Sequence, residues 1–124
     1  MRGKRPQRVI VQKMIRYCDE ITRMLKRHHF DRDEFDNNTE FQFACGMCII
    51  QIGELVAGLG EDFTRRYPDI PWRLIKGMRN IYAHDYDIVD NDMVWETITK
   101  EIPELKDGLQ VILHAMSQDE EQAD

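Results

Sequence analysis

The sequence predicts an all-α fold, an antiparallel bundle of four to five helices. Three observations predict it. Apolar residues recur at three- and four-residue steps through most of the chain, no stretch alternates apolar and polar residues as a half-buried strand would, and proline and glycine collect in short connectors between the periodic segments. At 124 residues, 32% of them charged, the chain suits one folded domain. Residues 1–117 are assigned to that domain and 118–124 to an acidic, disordered tail. There is no Gly/Ser linker and no internal repeat.

The first helix is expected between Arg8 and His28, where Ile10, Met14, Tyr17, Ile21, Met24 and Leu25 form one stripe. Phe30 to Asn38 is acidic, breaks the period and reads as a solvated connector. Thr39, followed three residues later by Gln42, reads as a capping box that opens a second helix. Its apolar positions Phe43, Cys45, Cys48, Ile49, Ile52, Leu55, Val56 and Leu59 cover a wide face, which makes it the most buried helix. Gly58 and Gly60 mark its end. Pro68 and Pro71 punctuate the next connector, and Pro71 suits the first turn of a helix running from about Trp72 to His84. Asp90 can cap a fourth helix through Val94, Trp95 and Ile98. Pro103 then either kinks that helix or starts a fifth through Leu105, Leu109, Ile112, Leu113 and Met116.

Net charge is −6, but it is unevenly placed. Met1 to His29 holds nine Lys or Arg against Asp19 and Glu20, a local +7, and the rest of the chain carries −13. A basic amino-terminal helix can meet RNA, an acidic partner protein, or the acidic face of its own bundle. No apolar run approaches the roughly 20 residues a bilayer span needs, and the basic amino terminus lacks the apolar core of a signal peptide. A cytoplasmic protein with no membrane partner is the expectation. Three cysteines, Cys18, Cys45 and Cys48, then imply no disulfide framework.

A single serine, Ser117, and the lack of a phosphate-cradling glycine loop dispose of serine-hydrolase and P-loop chemistry. Cys45-Gly46-Met47-Cys48 has redox spacing but lies within an apolar stripe, so core packing is favoured over metal or thiol chemistry, for which His28 and His29 would have to supply the other ligands. Asp31 to Asp36 resembles a calcium loop in charge alone, with Phe35 at a ligand position and Asp36 where glycine belongs. Neither metal nor cofactor is expected.

The third long helix carries the chemistry. On a helical wheel that starts at Leu74, Ile75, Met78, Ile81 and Tyr82 gather around a core direction. Arg79 lies at about 140° on that wheel, Asn80 at about 240° and His84 at about 280°. Asn80 is placed to orient the His84 ring one turn away. Arg79 and His84 of one regular helix do not converge. Either the helix unwinds before His84, or two copies meet across a two-fold axis. A cleft combining them could cut RNA without metal: one imidazole takes the proton of a ribose 2′-hydroxyl, a second protonates the leaving oxygen, and Arg79 clamps the charged phosphorane. Two ordinary surface residues near a helix end would have the same spacing. Glu54 sits in a mostly apolar helix, where a carboxylate either pairs, with Arg79 as the obvious partner, or faces solvent.

The run Tyr67 to Asn80 leading into His84 and Tyr86, followed by Val94-Trp95-Glu96-Thr97-Ile98 and Ile102-Pro103-Glu104-Leu105, closely resembles the HepT-like HEPN family, as does Ile52-Gly53-Glu54. The resemblance spans Val9 to Leu113, with Asp85 and Asp87 making the turn more acidic than the family's. It implies a two-fold homodimer and a ribonuclease toxin of a toxin–antitoxin pair, with Arg79 and His84 of an Arg-x4-His-x-Tyr motif as the catalytic residues. It also implies a minimal nucleotidyltransferase antitoxin that transfers AMP to Tyr86 and silences the cleft. An adenylate two residues from His84 would place bulk and negative charge where an RNA phosphate must lie; Tyr86 could equally be helix-end packing. The competing reading is a non-catalytic HEPN module that binds a nucleotide or presents Tyr86 to such a partner.

Overall fold

The structure, a computed structural model, describes residues 4–84 and 90–123. They form α1 (Lys4–Arg27), α2 (Arg32–Asp36), α3 (Thr39–Ala57), α4 (Glu61–Arg66), α5 (Trp72–His84), α6 (Asn91–Glu96), a π-helical turn over Thr97–Glu101, and α7 (Ile102–Ala123). The all-α class holds, with no strand among the described residues.

Side-chain pairings fix how the long helices run. Gln7 Nε2 of α1 donates to the Leu59 carbonyl at 3.1 Å just past the end of α3, while His28, just past the other end of α1, stacks on Phe41 at the start of α3 with ring centroids 4.4 Å apart. Arg8 Nη1 of α1 donates to Ser117 Oγ of α7 at 3.2 Å, and Asp19 of α1 pairs with Lys106 of α7 at 2.6 Å. Both pairs of helices are therefore antiparallel. On its other flank α3 packs against α5, which is also antiparallel to it: Glu54 meets Arg79, and the start of α5 lies beside Val56 and Ala57. Having neighbours on two sides explains why α3 is apolar over so wide a face. It is the one helix among the described residues long and apolar enough to cross a membrane, and its Phe41, Cys45, Cys48, Ile49, Ile52 and Val56 sit in the bundle core. Phe43, expected in that stripe, is instead 54% exposed.

Several local expectations are corrected. The segment after α1 is not a plain solvated connector. Asp31 caps α2 by accepting from the backbone N–H of Asp33 (2.8 Å) and Glu34 (3.3 Å), and Phe35 is fully buried, edge-on to Phe41 and beside Trp95. The cap of α3 is Asn38, whose Oδ1 accepts from Phe41 N at 3.0 Å; Gln42 turns away to donate to the Phe35 carbonyl at 2.7 Å, tying α3 to α2. Gly58 ends α3 in an ordinary right-handed conformation, and it is Gly60, φ 85°, that turns the chain into α4. Although the backbone runs helically from α6 into α7, Pro103 stands in the first turn of α7, so the alternative in which it opens a further helix holds. It lacks an N–H and would crowd the carbonyl of residue 99 in a regular turn, so the preceding turn widens and Ile102 N–H bonds to the Thr97 carbonyl five residues back. The helical backbone continues through Ala123 where a disordered tail was expected.

Cys18, Cys45 and Cys48 are buried, and burial pushes their thiols up to about 12, 12 and 11. They are protonated at neutral pH, inert as nucleophiles. Asp36, one of the calcium-loop carboxylates, pairs with Arg32 at 2.9 Å.

Candidate active site

The position of α5 along the bundle is set at its first residue. Trp72 is buried, and its indole N–H is shared between the carbonyls of Thr64 (3.1 Å) and Tyr67 (3.0 Å), which anchors the proline-bounded connector to the helix start. Seven residues, or about two turns, further on, Arg79 lies over α3.

It can lie there only because residue 53 is glycine. A β-carbon at Gly53 would overlap Arg79 Cβ outright, sit 2.8 Å from Arg79 Cγ and press on the Ile75 carbonyl at 3.3 Å. The next residue of α3, Glu54, receives the guanidinium: Arg79 Nε donates to Glu54 Oε1 at 2.5 Å, and Nη2 donates to the same oxygen. Arg79 Nη1 donates to Asn80 Oδ1 at 2.8 Å. Of five guanidinium N–H groups, these use three and leave one on each terminal nitrogen, a pair suited to one anionic group. The two alternatives for Glu54 turn out to be compatible, since it is paired with Arg79 and its side chain is still 46% exposed. Arg79, 29% exposed, is thus held in place while its outer edge faces solvent.

Around this pair lies a cleft of about 200 Å³ lined by Gly53, Glu54, Ala57, Lys76, Arg79 and Asn80. Three of these, Gly53, Ala57 and Lys76, were missed in the sequence as site residues. Gly53 was visible in the Ile52-Gly53-Glu54 resemblance, which gave it no role, and Ala57 was visible only as a small residue in an apolar helix. Lys76 falls at about 200° on the same wheel, between Arg79 and Asn80, and could have been found there.

His84 does not line the cleft. It is exposed at the last residue of α5, and α5 is regular up to it, which removes local unwinding as the way to bring His84 to Arg79. The Asn80 amide oxygen is directed at Arg79, and no hydrogen bond joins it to His84. Tyr86 lies outside the described residues.

The model of the family described as "Ribonuclease HepT-like" matches residues 14–112. A candidate RNase of Methanocaldococcus jannaschii is 36% identical over 110 residues, covering 89% of this chain and 93% of the relative, and a second from the same organism is 34% identical, covering 89% of each. A candidate ribonuclease HepT of Thermococcus cleftensis is 33% identical over 96 residues, covering 77% of this chain and 83% of the relative. No solved structure matches the chain. The family match takes in α3 and α5 whole, and with them Gly53, Glu54, Arg79 and His84: the chain belongs to the ribonuclease HepT-like family.

Proposed function

We propose that this protein is a cytoplasmic, metal-independent endoribonuclease, the toxin of a toxin–antitoxin pair, and that its working cleft is composite. Arg79 clamps the scissile phosphate, and the His84 residues of two copies act as base and acid. One His84 takes the proton of the 2′-hydroxyl as its oxygen attacks phosphorus. The other gives a proton to the departing 5′-oxygen, so a cyclic phosphate and a free 5′-hydroxyl result. The observation that carries the reading is Arg79, fixed on Glu54 and Asn80 with two N–H groups left outward, in a chain of the ribonuclease HepT-like family. The regular course of α5 through His84 supports the two-copy arrangement, because the missing imidazole must then come from outside the chain.

Control is assigned to Tyr86. Transfer of AMP to its phenol oxygen, with release of pyrophosphate from ATP, by a minimal nucleotidyltransferase would set a charged, bulky group two residues from His84.

The test is RNA cleavage in chelator by wild type and His84→Ala, with intact mass of each expressed alone and beside a nucleotidyltransferase antitoxin. Cleavage lost in His84→Ala, and an added AMP on Tyr86 only after co-expression, is the expected result. Absence of cleavage in every preparation would leave the non-catalytic binding module as the reading.

A further inference from the structure

Beyond Arg8, which meets Ser117, five cations of α1 make no hydrogen bond or ion pair with another helix among the described residues. Lys13, Arg16, Arg23, Lys26 and Arg27 are all exposed. Arg23 pairs with Glu20 at 2.9 Å, and Lys13, Arg16, Lys26 and Arg27 form no ion pair among the described residues. The acidic partner that α1 does find in α7 runs the other way, with Asp19 of α1 receiving Lys106. Among the described residues, then, the protein's own acidic face does not neutralise these cations. Projected down the helix, Lys13, Arg16, Arg23 and Arg27 fall within about 80° of one another, a single outward stripe roughly 21 Å long, and Glu20 is the one acid within it. Further basic residues, Arg2, Lys4 and Arg5, precede it in the sequence.

We infer that this stripe binds the phosphate backbone of RNA and holds the flanking strand while the Arg79 cleft acts on it; the inference rests on the ribonuclease reading above. RNA is favoured over an acidic protein because the stripe has the makings of a phosphate track and not of a protein interface. A protein partner needs an apolar centre from which to exclude water, and the exposed residues among these cations are Gln12 and Val9, the latter only 41% exposed at one end. Phosphates need only regularly spaced positive groups, preferably arginine, free to displace counterions. The placement also fits. α1 and α5 both pack on α3, so at ordinary packing distances their axes are within about 20 Å of each other, and a strand lying along the outward stripe must bend around the bundle to enter the cleft.

The test uses Lys13→Ala/Arg16→Ala/Arg27→Ala in the full chain, three exposed positions where alanine suits a helix. Binding is read by fluorescence anisotropy with a 20-nucleotide single-stranded RNA and, separately, polyglutamate, across a salt series. Cleavage is read on the same RNA and on a dinucleotide. The expected result is a salt slope reduced by about two, binding weakened about 100-fold at 0.1 M salt, a matching rise in KM on the long RNA, and unchanged dinucleotide cleavage. RNA binding with unchanged slope and affinity in a variant of native circular dichroism would overturn the stripe, as would polyglutamate binding as tight as RNA. Stripe-dependent RNA binding without any cleavage would uphold the surface and sink the ribonuclease reading; normal cleavage with stripe-independent binding would do the reverse.

Discussion

Gly53 and Arg79 are so close that a methyl group cannot fit between the two helices that carry them. Gly53→Ala must therefore push α5 off α3 and shift the guanidinium from Glu54. Overpacking of this kind costs about 1–3 kcal/mol, offset in part by alanine's better helix propensity. Gly77, in the middle of α5, has open space within 4 Å of where a β-carbon would stand, so Gly77→Ala should stabilise the protein by about 0.5–1 kcal/mol. Urea unfolding of both variants gives the signs, and a benign Gly53→Ala would contradict the close approach.

Glu54→Gln should separate positioning from stability. The ion pair is half in solvent, so its loss changes unfolding free energy by less than about 1 kcal/mol. Cleavage should nonetheless fall in kcat with little change in KM, since Arg79 would no longer be held with its outer N–H pair aimed at the phosphate. Arg79→Lys keeps the charge and loses the fork, and should be as damaging as Arg79→Ala to within a few-fold. Steady-state kinetics beside thermal unfolding checks both.

The three buried thiols make stability fall in alkali. Their folded pKa values are raised from 9.0 to about 12, 12 and 11, so the native state holds these protons more tightly than the unfolded chain. That stabilisation is fully present below pH 9.0, and is lost as pH rises through 11 to 12. Cys45→Ala should flatten the loss between pH 9 and 11 in denaturant titrations, whatever it costs at pH 7. At pH 8 the wild-type thiols should react with a maleimide only after denaturant is added.

Phe35→Ala tests whether α2 belongs to the core. The ring is fully buried and touches Phe41 and Trp95, so its removal should cost about 3–5 kcal/mol. A loss under about 1 kcal/mol, by urea unfolding, would return this segment to the status of a connector.

What the sequence disclosed follows from which forces act locally. The limits of α5 were legible because a proline preorganises its start and an apolar period runs unbroken to His84. α2 was not, because one phenylalanine among acidic residues makes no period, and its burial depends on Phe41 and Trp95, which stand on other helices. The pairing of Glu54 with Arg79 was a matter of charge and could be suggested; the reason it forms was not, since the antiparallel register that sets Gly53 under Arg79 is a property of two helices together. Asn38 displaced Thr39 as the cap of α3 because both are good caps and one residue decides between them.

The wide turn at Thr97–Glu101 behaves as a phase shifter. The turn holds one residue more than a regular one, so the residues of α7 stand about 100° out of phase with where an unbroken α-helix continued from α6 would put them. That offset lets Trp95 reach Phe35 on α2 while Lys106 reaches Asp19 on α1. Forcing Thr97–Glu101 into regular α turns with every residue kept would swing α7 by about 100° away from its partners, whereas deleting one residue there would let the turn close with both faces still in place.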